Sequence, residues 1–267
     1  MGPYRPSGQE LSVTQALMAV CQVYLDICMG DSKKFLRDRD AYDRARSHLD
    51  KHAASYGLPS TPEELSDWQR DIIQGIDASQ GHETPLLFEP PEPLLAGRLV
   101  FELSVSPKLA KTTTNFVALC TGEKGPCKSA SNKKLHYLEC PVHRIVKGFI
   151  AQGGDILRGD GSGGESIYGG DFKAEEEGLK VMPRKGSLGM ASSKTGSGAR
   201  NTSQFFVVLT DDEAQLKKLK GQYVIFGQLK DGEAESHVLD RLSGAGGDNE
   251  KPLIPVWIGG CGTCPSG

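Results

Sequence analysis

Side chains alternate between two kinds with a period of two at residues 23–28 of the chain. Residues 142–146 and 203–208 are short segments rich in valine, isoleucine and phenylalanine, and they are also predicted strands. Because the side chains of a strand point alternately to its two faces, a period of two predicts strands with one buried face. Segments rich in glycine separate such stretches, and the 33 glycines provide turns between many short strands. The pattern therefore predicts a mainly β fold.

One long segment has a helical period instead. Apolar and aromatic residues recur at intervals of three, four or seven between residues 32 and 56, and Gly57 and Pro59 then end the pattern. The recurring residues are Phe35, Tyr42, Ala45, Leu49 and Tyr56. We expect a helix of about this length, with these residues on its packed face.

A second helix is predicted to begin at residues 61–64. These residues combine a capping threonine, a proline for the first turn and a glutamate at the capping-box position. The apolar stripe expected on this helix consists of Leu65, Trp68, Ile72 and Ile76. The proline-rich residues 89–93 then favour a stiff, extended return of the chain. The two helices and this return predict an α-helical hairpin.

Arg144 lies among apolar neighbours inside one of the predicted strands. In a regular strand, Val142, Arg144 and Val146 share one face, and His143 and Ile145 share the other. Arginine is rarely buried without a partner. Arg144 is therefore either an exposed residue whose aliphatic stem lies on apolar surface, or a cation at the edge of an apolar pocket.

Charge and cysteine usage narrow the class of protein. A formal net charge of −3 gives no cationic surface of the kind that binds nucleic acid, so no nucleic-acid partner is predicted. No apolar run reaches membrane length, and the first residues lack a basic-then-apolar leader, so we expect no membrane association. Seven cysteines, an odd number, favour reduced thiols. The expected compartment is the cytoplasm, with the nucleus or an organelle as alternatives.

Four motifs occur in a fixed order along the second half of the chain. They are His-Arg-Ile-x-x-Gly-Phe-x-x-Gln-Gly-Gly-Asp at 143–155, Gly-Gly-x-Ser-Ile-Tyr-Gly at 163–169, Ser-Gln-Phe-Phe at 203–206 and Phe-Gly at 226–227. In this order they resemble the cyclophilins, a family of peptidyl-prolyl cis-trans isomerases. Each motif alone is a weak signal, whereas the ordered set is a specific one.

The resemblance implies an eight-stranded antiparallel closed barrel capped by two helices. In the family a short hairpin joins the first two strands, so the helical hairpin of this chain is an insertion between them. The predicted division is an N-terminal extension at 1–21, a cyclophilin-like barrel formed by 22–28 and 96–267, and a helical insertion at 29–95 that ends in the proline-rich return. The insertion either packs on its own domain or docks a protein partner.

The resemblance also implies an activity, rotation about X-Pro peptide bonds of client proteins. Twisting the amide restores a lone pair on the prolyl nitrogen, and a guanidinium in a sheltered site stabilises that state without a nucleophile, metal or cofactor. By resemblance, Arg144 is the catalytic residue. The substrate-binding residues that the resemblance implies are Phe149, Ile150, Gln152, Gly161, Ala191, Ser192, Gln204, Phe206, Leu219 and Tyr223.

Departures from the family pattern bear on inhibitors and substrates. Lys218 stands where most members have an aromatic residue or histidine, and Tyr223 stands where many have histidine. The loop between Met190 and Gln204 is also longer than usual. A tyrosine can still cover a proline ring, so we expect activity to be retained. Because Lys218 lacks an indole, we expect only weak cyclosporin binding.

Residues 126–137 resemble the extra loop of the divergent-loop cyclophilins. Cys120 and Cys261 occupy the positions of the paired cysteines of that subgroup, and Glu165 occupies the position of its loop-holding glutamate. One interpretation, which the resemblance implies, is that these two thiols act as a redox switch by forming a disulfide. The other interpretation is two buried free thiols that act as small apolar groups.

Two further hypotheses compete with the enzyme. One is a non-catalytic, proline-peptide-binding scaffold subunit that docks on a larger complex through residues 29–95. The other is a redox-sensing chaperone that depends on Cys120 and Cys261. The retained motif residues favour the isomerase, whereas Lys218, Tyr223 and the insertion favour the scaffold.

Overall fold

A computed structural model describes residues 22–265 of the chain. The chain forms two compact units. Among the described residues, the first combines residues 22–29 with residues 95–265, and the second is Gly30–Leu94. The N-terminal extension predicted at 1–21 lies outside the described residues.

An eight-stranded antiparallel sheet builds the first unit. Its strands are β1 (Gln22–Met29), β2 (Leu95–Leu103), β3 (Val142–Val146), β4 (Ile150–Gly153), β6 (Ser187–Met190), β8 (Phe205–Val208), β9 (Ile225–Leu229) and β10 (Val256–Thr263). Their order in the sheet is β10-β1-β2-β9-β6-β8-β4-β3. Two short strands, β5 (Phe172–Lys173) and β7 (Arg200–Asn201), pair separately. The predicted mainly β fold and its eight-stranded antiparallel sheet are confirmed.

The sheet curves until its two outer strands meet. Pro141, just before β3, bridges to Trp257 of β10. The Ile258 N–H donates to the Cys140 carbonyl at 3.0 Å, and the Glu139 N–H donates to the Ile258 carbonyl at 2.8 Å. These bonds close the sheet into a barrel and satisfy backbone groups that an open edge would expose.

Side chains fill the barrel. Phe116 lies on α3 (Ala110–Thr121), is fully buried, and has its ring centroid within 5.3 Å of those of three other aromatic residues. These neighbours are Tyr137, Phe205 and Phe226. The second long helix of the unit, α6 (Glu233–Gly244), buries Val238, Leu239 and Leu242. Because the interior is packed, a ligand site of this unit has to lie on its outer wall.

A β-bulge changes the predicted faces of β3. The register with β4 shifts between Val142 and Arg144. Val142 therefore joins Ile145 in the barrel core, whereas Val146 packs in a separate apolar cluster on the outer wall. The prediction that Val142 shares a face with Arg144 is wrong, because a local pattern of period two does not contain the extra residue.

The second unit is built on two helices, α1 (Ser32–Tyr56) and α2 (Asp67–Ser79). Its core contains Ala45, Leu49, Leu65, Ile73 and Leu86. Gly57 ends α1 in the left-handed conformation, as the sequence predicts, and Asp31 caps its start. Tyr56, which we expected on the packed face, is exposed.

The start and the face of α2 differ from the prediction. Residues Pro62–Glu64 form a separate 3₁₀ turn, and α2 begins after Ser66, whose N–H donates to the Gln69 side chain at 2.9 Å. The packed face of α2 therefore carries Ile73 and Asp77, and Trp68 and Ile72 are exposed.

The remaining α-helices of residues 22–265 are α4 (Glu176–Lys180) and α5 (Glu213–Leu219), and Pro107–Leu109 and Gly196–Gly198 form short 3₁₀ helices. None of the helices within residues 22–265 is both long and apolar enough to cross a membrane.

Candidate active site

A groove of about 630 Å³ lies on the outer wall of the barrel. Its lining includes every residue that the sequence predicts for catalysis or substrate binding. These are Arg144, Phe149, Ile150, Gln152, Gly161, Ala191, Ser192, Gln204, Phe206, Leu219 and Tyr223. They come from β3, β4, β8, α5 and the loops between them, so the fold brings together positions up to 79 residues apart in the chain (223 − 144 = 79).

Part of the groove lining is an apolar pocket. Ile150, Phe206 and Leu219 are buried in a cluster separate from the barrel core, and Phe149 and Tyr223 pack against it partly exposed. The rings of Phe206 and Tyr223 meet edge to face, with centroids 5.4 Å apart. A Cβ atom at Gly189 would lie 2.4 Å from the Phe206 ring, so this strand position requires glycine behind the pocket.

A chain of polar side chains forms another part of the groove lining. Arg144 Nη1 donates to Gln152 Oε1 at 3.3 Å. Gln152 Nε2 donates to Gln204 Oε1 at 2.9 Å. Gln204 Nε2 then donates to the carbonyls of Gly161 and Gly163, at 2.8 and 2.6 Å. Each amide is oriented by the next, so the guanidinium is connected to the backbone of the 159–164 loop.

The Asp155 side chain holds the 159–164 loop in place. Its carboxylate is buried and accepts hydrogen bonds from backbone N–H groups between residues 157 and 163. Burial alone raises the pKa of this carboxyl, but the N–H groups of Arg158, Gly163 and Gly161 outweigh it and hold the pKa below its usual value. The loop whose carbonyls orient Gln204 is therefore held by an ionised aspartate.

His143 packs against the same loop. A Cβ atom at Gly161, where φ is +91°, would lie 2.9 Å from the His143 ring, so the loop touches the imidazole closely. Both ring nitrogens of His143 are buried and have no hydrogen-bond partner among the described residues. Burial lowers the pKa of His143, which favours a neutral ring. His143 therefore supports the loop by packing.

The 191–202 loop also lines the groove. Ser192 Oγ donates to the Arg200 carbonyl at 2.9 Å and accepts from the Arg200 N–H at 3.2 Å, which ties the two ends of the loop together. The Arg200 guanidinium pairs with Asp171 at 2.7 Å. Lys194 also lines the groove. Sequence reasoning missed these three charged residues, because Asp171 and Lys194 lie in loops and Arg200 lies in the two-residue strand β7, which is too short to give a pattern.

The groove thus places the Arg144 guanidinium beside an apolar pocket. Hydrogen bonds orient the side-chain amides of Gln152 and Gln204 in the same groove. Within the described residues, no group of three or more histidine, cysteine, aspartate or glutamate side chains could hold a metal ion. Arg144 also has a partner that the sequence did not indicate. Its Nε donates to Glu250 Oε2 at 2.8 Å.

Comparison with known proteins decides the family. The model of the family described as cyclophilin type peptidyl-prolyl cis-trans isomerase/CLD matches residues 92–263. The chain is a member of the cyclophilin family. An Arabidopsis thaliana protein named peptidyl-prolyl cis-trans isomerase CYP21-1 is 39% identical to it over 169 residues, or 63% of this chain and 70% of that protein. The predicted isomerase activity on proline-containing peptides is confirmed, and the non-catalytic scaffold is not favoured.

The family match leaves part of this cyclophilin uncovered. It begins at residue 92, so β1 and nearly all of the unit Gly30–Leu94 precede it. β1 nevertheless pairs with both β2 and β10 in the barrel. The barrel is therefore completed by a strand that the matched region does not contain.

The extra loop of this cyclophilin is anchored by Glu165. The buried carboxylate accepts from the backbone N–H groups of Lys128 and Ser129, at 2.6 and 2.9 Å, and from the Ser129 hydroxyl. Burial raises the pKa of Glu165, but these hydrogen bonds outweigh it and lower the pKa overall. Glu165 therefore holds the loop as an ionised group.

Cys120 and Cys261 are both free thiols near the barrel core. Burial, followed by the proximity of Cys261, raises the pKa of Cys120 well above its usual value. Burial raises the pKa of Cys261 to about 11, and its Sγ lies 3.5 Å from His136 Nε2. Because the thiolate is the reactive form, these pKa values favour the reading in which both thiols stay reduced.

Proposed function

We propose that Arg144 is the catalytic residue of this isomerase and that X-Pro bonds rotate in the outer groove. The observation that carries the proposal is the position of the guanidinium. It lies beside the pocket of Ile150 and Phe206, and Nε and Nη1 are held by Glu250 and Gln152. Nη2 donates to no protein acceptor within the described part of the chain, so it is available to a substrate.

The chemistry needs a hydrogen-bond donor that acts only on the twisted amide. In a planar X-Pro amide the nitrogen lone pair is delocalised, so the nitrogen accepts no hydrogen bond. At the twisted state the lone pair is localised on the prolyl nitrogen, and a charged N–H donor binds it. Arg144 therefore stabilises the transition state more than either ground state, which is the condition for catalysis.

The rest of the groove positions the peptide. We propose that the apolar pocket of Phe149, Ile150, Phe206, Leu219 and Tyr223 binds the proline ring. The flanking peptide then lies along polar groups of the groove lining. These are the amides of Gln152 and Gln204 and the backbone at Gly161, Ala191 and Ser192.

The energy required is within reach of these groups. Uncatalysed rotation takes tens of seconds, and finishing it in about a millisecond requires a barrier lower by roughly 5 to 6 kcal/mol. A charge-assisted hydrogen bond contributes about 1.5 to 3 kcal/mol. Orientation in a preformed pocket can supply the remainder.

The experiment is a peptide isomerisation assay under reducing conditions. We expect Arg144→Ala to lower kcat/KM by about a hundredfold or more, which corresponds to about 2.7 kcal/mol. Arg37→Ala, a change of an exposed arginine on α1, serves as the matched control and is expected to leave the rate unchanged. An Arg144→Ala variant that is folded and as active as the parent would remove Arg144 from the mechanism.

We also propose that residues 29–95 form an insertion domain that docks a protein partner. The supporting observation is the exposure of Trp68 and Ile72, which are 62% and 48% exposed and lie one turn apart on α2. A Trp68→Ser, Ile72→Ser double variant is expected to keep its activity on short peptides and to lose copurifying partners. Equal copurification by parent and variant would argue against this face as the docking site.

A further inference from the structure

Glu250 is the second partner of the Arg144 guanidinium. Its Oε2 accepts from Arg144 Nε at 2.8 Å, while Gln152 accepts from Nη1 at 3.3 Å. Both members of the ion pair are partly exposed, with 38% of the Arg144 side chain and 50% of the Glu250 side chain accessible. Without these partners, an arginine this accessible would exchange among several rotamers in water.

The two contacts fix the orientation of the guanidinium. Its nitrogens and their hydrogens lie in one plane, so holding Nε and Nη1 on different acceptors determines where the Nη2 hydrogens point. Glu250 takes only Nε, and no bond to Nη2 is found within residues 22–265. The carboxylate therefore orients the side chain without occupying the free donor.

The backbone of Glu250 is unusual in a way that supports a role for its side chain. Its φ is +63°, and the only other non-glycine residue with positive φ among the described residues is Glu139, at +64°. Glu250 is the fourth residue of a turn in which its N–H donates to the Gly247 carbonyl at 3.0 Å. Glycine is favoured at such a position, so a glutamate here retains its side chain at a conformational cost.

The same residue is anchored beside the strand that carries Arg144. The Glu250 carbonyl accepts from the Ile145 N–H at 2.8 Å, one residue along β3. The backbone bond sets the position of the turn relative to β3, and the carboxylate then reaches the guanidinium. Turn and side chain together form one support for Arg144.

We propose that Glu250 is a positioning residue that orients the Arg144 guanidinium for the twisted amide. The proposal rests on the catalytic role of Arg144 given above. Because the planar amide nitrogen accepts no hydrogen bond, the orientation of Nη2 affects the transition state and leaves substrate binding unchanged. Loss of the carboxylate therefore lowers kcat and leaves KM close to that of the parent.

The test compares substitutions at the two glutamates with positive φ. Glu250→Gly removes the carboxylate and suits the backbone, so the variant is expected to fold at least as stably as the parent. We expect its kcat to fall about fivefold with KM changed less than about twofold. Glu250→Gln keeps an oxygen that accepts from Nε–H and is expected to retain more than half of kcat. Glu139→Gly and Glu139→Gln are the matched controls, and both are expected to match the parent.

A spectroscopic readout separates orientation from general stability. In the parent, the Arg144 Nε–H is expected to give a resolved NMR signal that exchanges slowly with water. In Glu250→Gly this signal is expected to exchange faster, while Tm stays equal or rises. In an Arg144→Ala background, Glu250→Gly is expected to cause no further fall in kcat.

The outcomes distinguish the two proposals. If Arg144→Ala is inactive and Glu250→Gly has the kcat of the parent, the positioning role is overturned and the catalytic role of Arg144 stands. A rise in kcat for Glu250→Gly would also overturn it, because Glu250 would then restrain Arg144. An Arg144→Ala variant with full activity would overturn the catalytic role itself.

Discussion

The substitution Asp155→Asn tests how the groove wall is built. The Asp155 side chain is almost fully buried, and its two oxygens accept hydrogen bonds only from backbone N–H groups of the following loop. Oδ1 accepts from Leu157 at 3.2 Å and Arg158 at 2.9 Å, and Oδ2 accepts from Asp160 at 3.3 Å, Gly161 at 2.8 Å and Gly163 at 3.0 Å. Asparagine has the same shape but only one oxygen, so its NH₂ group has to face N–H donors.

The cost of Asp155→Asn follows from those contacts. If the asparagine oxygen takes the position of Oδ2, the donors to Oδ1 lose their acceptor, and two bonds are lost. The opposite orientation loses three. At about 1.5 to 3 kcal/mol for each bond to a charged group, the free energy of unfolding is expected to fall by about 3 to 6 kcal/mol. This is a large part of the usual stability of a domain.

The assay is urea unfolding at pH 7, with activity measured on the fraction that stays folded. Asp160→Asn is the matched control, because Asp160 lies in the same loop but is exposed, and its carboxylate accepts from Ser162. We expect the control to stay close to the parent. A loss below about 1 kcal/mol in Asp155→Asn, with unchanged kcat/KM, would refute the reasoning.

The pH dependence of stability tests the contribution of the same carboxylate. The folded pKa of Asp155 is lowered, so its contribution is present above the unfolded pKa of about 3.9 and is lost as pH falls through the folded pKa. The parent is therefore expected to lose stability below about pH 4 more steeply than Asp155→Asn. Parallel acid unfolding curves would contradict this.

Three further predictions concern other parts of the molecule. Asp77 is fully buried and accepts from His48 at 2.9 Å, so Asp77→Asn is expected to destabilise the helical unit by about 3 kcal/mol in thermal unfolding followed by circular dichroism; an unchanged melt would contradict this. Lys218 lines the groove, so the parent is expected to bind cyclosporin weakly and Lys218→Trp to bind it more tightly by calorimetry; equal affinities would contradict this. Because burial raises the pKa of both Cys120 and Cys261, diamide at pH 7 is expected to leave isomerase activity unchanged. Rapid inactivation that Cys120→Ser prevents would support the disulfide switch instead.

The sequence predicted the parts of the molecule that local patterns determine. Alternation identified residues 23–28 as a strand, helical spacing gave the bounds of α1, and the ordered motifs gave the barrel and the residues that line its groove. One error arose where two local signals competed. The capping residues at 61–64 end in a 3₁₀ turn because Ser66 and Gln69 form the capping box that starts α2. The helix α2 therefore packs through Ile73, and Trp68 is exposed.

The partner of Arg144 could not be predicted in this way, for a physical reason. Arg144 and Glu250 are 106 residues apart, and they meet because the sheet closes and brings the turn before β10 beside β3. The contact also depends on one residue that keeps a left-handed backbone and on a carbonyl that binds the Ile145 N–H. None of these conditions leaves a period or a spacing in the sequence. The motif therefore identifies the guanidinium, whereas only barrel closure identifies the carboxylate that orients it.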